Sequence, residues 1–222
     1  MEVGTIQRLP QEIVEGFKGL CTSTIGNVLD DMKIQGVIPN IKPVHHGFSC
    51  VGSALTVKEV TGVLGTYTNA DFKLGQVIDT TEAGDVVVID NAGHQVSTWG
   101  GIASFAAKNR GVSGLVVDGG VRDLEEIVEF GFPVFSRHVL PISGKGRVKI
   151  TAMNTVVKID GVMVSPGDVI VADGTGIVCV PAGVAAEVLK IAREFERQDR
   201  MAIEEVKKGL SFSEALKKFA KM

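Results

Sequence analysis

Hydrophobic positions along the chain follow two periods, and their alternation sets the expected architecture. After Pro10, which suits a first helical turn, Ile13, Val14 and Phe17 form a short helical stripe. Residues 23–32 repeat that pattern, with Ile25, Val28 and Leu29 on one face. From 37 to 60 the chain turns to β-branched residues broken by Pro and Gly, which predicts strands. The middle is the most regular part. Residues 98–110 predict a helix with Ile102, Phe105 and Ala106 on one face, and 114–118 a short apolar strand. Residues 123–130 predict a helix burying Leu124, Ile127 and Val128, with 133–135 as the next strand. Such strand–helix–strand spacing implies a parallel, right-handed crossover. Residues 147–180 read as strands and hairpins, with Asp160-Gly161 in one turn. The tail from 182 to 207 has no Gly or Pro after Gly183 and predicts one long helix closed by Gly209. Ser211 with Glu214 then forms a capping box for a last short helix.

Two segments nearly repeat, 83–90 (AGDVVVID) and 166–173 (PGDVIVAD). Each reads as a glycine turn feeding a buried strand that ends in an acid. Two copies are too few for a solenoid, so shared turn geometry is the expected cause. No low-complexity linker divides the chain. Residues 1–222 are expected to form a single domain, with 182–222 as a helical tail that packs on a neighbouring subunit.

Composition narrows the class. With 222 residues, 45% hydrophobic and 22% charged, the chain can fill one core. A net charge of −3 and no cluster of Lys and Arg with aromatics argue against nucleic acid as a partner. No apolar run approaches the roughly 18 residues of a membrane span, and no leader pattern opens the chain. Cys21, Cys50 and Cys179 are too scattered for a disulfide framework, which fits a reducing cytoplasm.

The turn Asp118-Gly119-Gly120-Val121-Arg122-Asp123 carries the strongest chemistry. A strand ends there, two glycines let a ligand approach the backbone, and a helix begins. Arg122 offers a planar fork for a carboxylate, and Asp123 a hard oxygen for Mg²⁺ or Mn²⁺. A plainer reading competes: Asp123 caps the helix and Arg122 makes a surface ion pair. A second candidate is 97–103, where Gly100 and Gly101 can expose amides to an oxygen anion and Trp99 is either a wall or plain core. The four histidines lack partners at metal-ligand spacing, although His94 lies close to that second loop.

These pieces, together with 52–56, 84–90, 111–114, 133–135 and 166–168, occur in an order that resembles the RraA-like superfamily, which includes the 4-hydroxy-4-methyl-2-oxoglutarate / 4-carboxy-4-hydroxy-2-oxoadipate aldolases. The resemblance covers roughly residues 20 to 210. It implies an α/β chain with the β/β/α swivelling-domain-like RraA fold and a long C-terminal helix, assembled as a homotrimer or homohexamer with its site between subunits. It implies a divalent-metal-dependent lyase, using Mg²⁺ or Mn²⁺, that acts on a 2-keto acid by retro-aldol cleavage to pyruvate, by oxaloacetate decarboxylation, or both. Arg122 and Asp123 match the family's Arg-Asp pair, for substrate and metal respectively. The backbone of Gly100, Gly101, Ile102 and Ala103 matches its pyruvyl-binding loop. Glu196, with Glu194 as its rival, matches an acid contributed by a neighbouring subunit's helix. One departure stands out: the acidic residue about twenty positions before the pair is Gly101 here. The competing implications are a non-catalytic regulator that binds a ribonuclease, and a related enzyme acting on another small carboxylic acid.

Overall fold

The computed structural model describes residues 1–219. Strand β1 (Glu2–Val3) and helix α1 (Gln11–Glu15) lead into α2 (Thr22–Asp31), β2 (Val37–Ile38), β3 (Lys42–Pro43) and the long β4 (Cys50–Thr61). Next come α3 (Leu74–Thr80), β5 (Asp85–Asp90), β6 (Ser97–Trp99), α4 (Gly101–Asn109), β7 (Gly114–Val121), α5 (Leu124–Phe130) and β8 (Val134–Val139). The chain continues through β9 (Val148–Met153), the hairpin of β10 (Val157–Ile159) and β11 (Val162–Val164), and a second hairpin of β12 (Val169–Ala172) and β13 (Ile177–Val180). It ends in α6 (Ala185–Lys207) and α7 (Phe212–Phe219).

The main sheet runs β2-β13-β12-β4-β5-β7-β8-β3, with β9 also on β4 and β6 on β7. Its centre is parallel, from β4 through β5 and β7 to β8, and its flanks are antiparallel. Strands β5 and β7 are buried along their whole length, which is why both read as continuous apolar runs. The β7–α5–β8 unit is the expected parallel crossover. Two clusters of buried side chains hold the layers. The larger one includes Leu55, Ile89, Leu115, Ile127 and Phe135. In the other, Phe17, Ile25, Leu29, Val188 and Ala192 from α1's C-terminal end, α2 and α6 pack on Val169, Val171, Val178 and Val180 of β12 and β13.

The near-repeat has its expected origin in turn chemistry. Gly84 and Gly167 both adopt left-handed backbone, with φ of +89° and +90°. In each copy the following Asp accepts the N–H three residues back: Asp85 from Glu82 at 2.9 Å and Asp168 from Ser165 at 2.8 Å. The strands these turns launch flank β4 in opposite directions.

Three expectations need correction. Pro10 sits at the N-cap of α1, with ψ of 136°, rather than within its first turn. The helix expected at 98–110 begins only at Gly101, because Ser97 and Trp99 pair with Gly120 and Val121 as β6. Its buried face is Gly101, Ser104 and Ala107, whereas Ile102 is 86% and Phe105 51% exposed. On the inward side Gly101 lies under Glu126 of α5 and Ser104 accepts the Trp99 indole N–H, while the larger apolar residues face outward.

The long tail helix α6 buries Ala185, Val188, Leu189 and Ala192, while Met201, Ile203 and Val206 near its end stay exposed. Gly209 turns the chain beyond it with φ of +103°. The Ser211–Glu214 capping box is formed in both directions. Among the described residues no helix is long and apolar enough to cross a membrane.

Candidate active site

Strand β7 continues past the expected Asp118 to Val121, held by β6. The Arg122 N–H then donates to the Trp99 carbonyl at 3.0 Å, tying the ends of the two strands together. Asp123 follows in the left-handed region, with φ of 58° and ψ of 48°. Asp tolerates that conformation better than most residues, because its short polar side chain bonds locally. Here the turn points its carboxylate at α4, where Oδ2 accepts the Gly101 N–H at 3.2 Å. The same carboxylate makes no capping bond to its own helix, α5. Arg122 Nε lies 3.5 Å from Asp123 Oδ2, and the two side chains are 47% and 38% exposed. An ion pair that open adds little stability. Helix capping therefore does not explain this turn, and both groups are accessible to a ligand.

The start of α4 faces this pair. Gly100 is extended, and a Cβ there would overlap Asp123 Oδ2. Its carbonyl accepts both the Ser104 N–H and the Ser104 hydroxyl, each at 3.0 Å. The N–H groups of Ile102 and Ala103 lie in the first helical turn, where no intrahelical acceptor reaches them and the helix end carries partial positive charge. Trp99 is both wall and core. It is 1% exposed, its Nε1 donates to Ser104 Oγ at 2.9 Å, and its ring stacks on Phe132 with centroids 6.1 Å apart.

The position that breaks the family pattern is occupied from across the helix pair. A Cβ on Gly101 would overlap Oε2 of Glu126 and would lie 2.7 Å from its Cδ. Glu126 therefore fills the space that a side chain at 101 would enter. Sequence reading missed it, although Asp123 and Glu126 are three residues apart at the start of a helix and so share one side.

These elements border a cavity of about 340 Å³. Thr98, Trp99, Gly100, Ile102, Ala103, Arg122 and Asp123 contribute to its wall, so most of the expected binding residues are brought together. Gly101, expected among the binding residues, does not line the wall: its N–H is given to Asp123, and Glu126 lies over it. The Thr98 hydroxyl is buried without a hydrogen-bond partner. Asp123 brings hard carboxylate oxygens suited to Mg²⁺ or Mn²⁺ to the cavity wall, and the Glu126 carboxylate lies over the neighbouring Gly101. Among the described residues no group of three or more His, Cys, Asp or Glu converges as a metal site.

Other candidates lie elsewhere. Glu196 is on α6, paired with Arg200 at 2.8 Å, and does not line the cavity of its own chain. Glu194 is held by Arg197 and Gln198. His94 closes a turn with Asn91 and is not part of the cavity wall. Asp118 is buried against Arg137, at 2.6 Å, and the Asp160 N–H, at 2.9 Å. Gly119 and Gly120 admit protein rather than ligand, since a Cβ on either would press on Asn91 or on the Val96 carbonyl, each at 2.9 Å.

The chain is similar to several known proteins. Over 195 residues the chain is 32% identical to protein DlpA of Legionella pneumophila, covering 85% of this chain but only 30% of that protein. Over 189 residues it is 29% identical to a Halalkalibacterium halodurans protein with a provisional 4-hydroxy-4-methyl-2-oxoglutarate aldolase name, covering 85% of each. The crystal structure of an uncharacterized Pseudomonas syringae pv. tomato protein superposes with a TM-score of 0.84 at 33% identity, over 94% of this chain and 98% of the other. The RraA-like family profile (Aldolase/RraA) matches residues 23–179, which span β2 to β12, the Arg122–Asp123 turn and the α4 N-terminus, and the chain belongs to that family.

Proposed function

We propose that the protein is a divalent-metal-dependent lyase acting on 2-keto acids, by retro-aldol cleavage to pyruvate, by oxaloacetate decarboxylation, or both. The observation that carries this reading is the convergence of Arg122, Asp123 and the α4 N-terminus on one cavity. Each part has work to do in such a reaction. The Arg122 guanidinium pairs with the substrate carboxylate. The open N–H groups of Ile102 and Ala103 donate to substrate oxygens, and the positive end of α4 favours the negative charge that develops as the carbon–carbon bond breaks. Asp123 and Glu126 would hold the cation, which would supply Lewis-acid polarisation of the keto oxygen. Thr98, with its unpartnered hydroxyl, is a further donor on the wall. Glu196 can join this set only from a second copy of the chain, as part of a homo-oligomer.

A regulator that only binds a ribonuclease makes no use of a cavity where an anion clamp, a helix N-terminus and the Asp123 carboxylate meet, whereas a lyase uses each. The test is to incubate the purified protein with oxaloacetate and Mg²⁺ or Mn²⁺ and follow pyruvate, alongside calorimetric titration of Mn²⁺. Arg122→Ala should lower kcat/KM by about 100-fold. Asp123→Asn should abolish the metal-dependent rate and weaken Mn²⁺ binding while the fold persists. Wild-type protein that binds Mn²⁺ without releasing pyruvate from oxaloacetate or from 4-hydroxy-2-oxo acids would leave the regulator reading in place.

A further inference from the structure

Helix α4 reads GIASFAAKN, and Ser104 is its only hydroxyl-bearing residue, at a position where alanine would suit the helix better. Chemistry fixes the direction of each hydrogen bond around it. An indole nitrogen only donates, so Trp99 Nε1–H donates to Ser104 Oγ, at 2.9 Å. The single hydroxyl proton then goes to the Gly100 carbonyl at 3.0 Å, which also accepts the Ser104 N–H. On the far side of that same peptide, the Gly101 N–H donates to Asp123 Oδ2 at 3.2 Å. The preceding carbonyl, of Trp99, is doubly taken as well, by the Ser97 hydroxyl at 2.9 Å and the Arg122 N–H at 3.0 Å. Two consecutive carbonyls are thus each pinned by two donors. The first is bonded to Arg122, and the peptide of the second is bonded to Asp123. Ser97, Trp99 and Ser104 are buried within the chain, so these bonds do not depend on what a neighbouring copy brings to the cavity.

Resting on the metal-dependent lyase reading above, we infer that Ser104 is a positioning residue for Asp123, acting through the Gly100–Gly101 peptide. Two donors on the Gly100 carbonyl fix the plane of that peptide. By drawing charge toward the oxygen they also make the Gly101 N–H a stronger donor. Asp123 has need of such a tether. Its carboxylate makes no capping bond to α5, and Arg122 Nε stands 3.5 Å away in a pair open to solvent. A carboxylate already held in one orientation loses less freedom when it binds a cation. Without the Ser104 hydroxyl, the Gly100 carbonyl keeps one donor and the Trp99 indole N–H is stranded in the core. The first loss acts on the site and the second on the fold, which makes the two separable.

The test is a double-mutant cycle of Ser104→Ala and Trp99→Phe, read by calorimetric titration of Mn²⁺ and by thermal melting. Phenylalanine keeps a ring to stack on Phe132 but needs no acceptor. Ser104→Ala should weaken Mn²⁺ binding by about tenfold in both backgrounds, because the Gly100 carbonyl loses its hydroxyl donor in either case. Its cost in melting temperature should be smaller beside Trp99→Phe, where no indole N–H is stranded. A merely structural Ser104 would lose affinity only in step with stability. With Mn²⁺ saturating, kcat for oxaloacetate should fall by about tenfold while KM stays within about twofold, since the Arg122 side of the site is untouched. Adding Ser104→Ala to Trp99→Phe with no change in Mn²⁺ affinity overturns this inference, while wild-type release of pyruvate keeps the lyase reading intact. Wild-type protein that binds no Mn²⁺ removes the metal-dependent reading and this inference with it.

Discussion

The Glu126 carboxylate stands where a side chain on Gly101 would begin, its Cδ only 2.7 Å from the ideal Cβ position. The space that a side chain at 101 would enter is thus taken by a carboxylate from the facing helix. Gly101 lies outside the left-handed region, as the first residue of α4, so backbone strain does not forbid other residues there. The obstacle is Glu126. Gly101→Asp alone should bring no gain in Mn²⁺ affinity, because the new carboxylate displaces the old one. Glu126→Gln should weaken Mn²⁺ binding by about tenfold. Combining Gly101→Asp with Glu126→Ala should restore affinity to near wild type, a non-additive pair that calorimetry can read. A double variant as weak as Glu126→Ala alone would show that the two positions are not interchangeable.

The parts of the fold that were readable from sequence are those where one local rule dominates. Continuous apolar runs gave β5 and β7, the Gly-Asp turns gave the two strands beside β4, and the capping box gave α7. Strand β6 was read as helix because Ser97-Thr98-Trp99 becomes a strand only through pairing with Gly120 and Val121, a contact between segments. The inward face of α4 was misjudged for a related reason. Hydrophobicity marks Ile102 and Phe105, but the side turned inward carries Ser104 and Ala107. At the site, Arg122 and Asp123 were visible as a motif, and the missing acid was visible as a glycine. The carboxylate over that glycine was not, since only the juxtaposition of α4 and α5 puts Glu126 there.

Thiol chemistry offers a check on burial. Cys21 is exposed, while Cys50 and Cys179 are buried and none of the three is in a disulfide. Burial pushes the Cys50 thiol up to about 12. Burial raises Cys179 as well, helped by the charge of Asp168 and a hydrogen bond to it. Both thiols therefore remain protonated and unreactive near neutrality. Native protein at pH 8 should react quickly with Ellman's reagent at Cys21 alone, and Cys21→Ser should remove the fast phase. Rapid labelling of Cys50 or Cys179 would mean that the β4 or β13 region opens more readily than this packing allows.

The outward face of α4 bears on assembly. Ile102 and Phe105 are three residues apart on one helix side, and the Phe105 ring packs on Phe130 with centroids 5.2 Å apart. An isoleucine 86% exposed beside the cavity mouth is poorly explained by a monomer. Burying it in a subunit contact is worth about 1.5–3 kcal/mol. Light scattering at micromolar concentration should give a homo-oligomer, a trimer or hexamer being expected. Ile102→Glu with Phe105→Glu should shift the mass toward the monomer. A wild-type monomer would refute this use of the α4 face.

Glu59 gives the protein a pH dependence of its own. It lies on β4, 4% exposed, and neither of its carboxylate oxygens has a hydrogen-bond partner. Burial, and then the nearby charge of Asp90, raise its pKa well above the usual carboxylate range. In the unfolded chain Glu59 ionises near pH 4.5, whereas in the folded chain it keeps its proton to higher pH. Between those two values the folded state binds more protons, so stability falls as pH rises through the window and levels off only above the folded pKa. Glu59→Gln removes the titration. Its thermal midpoint should vary less than that of wild type between pH 4.5 and pH 8, and its relative advantage should grow toward the alkaline end. The comparison is made by calorimetric melting at several pH values. A variant whose midpoint tracks wild type at a constant offset across that range would show that Glu59 does not titrate between the two states, and that the buried carboxyl has found a partner when folded.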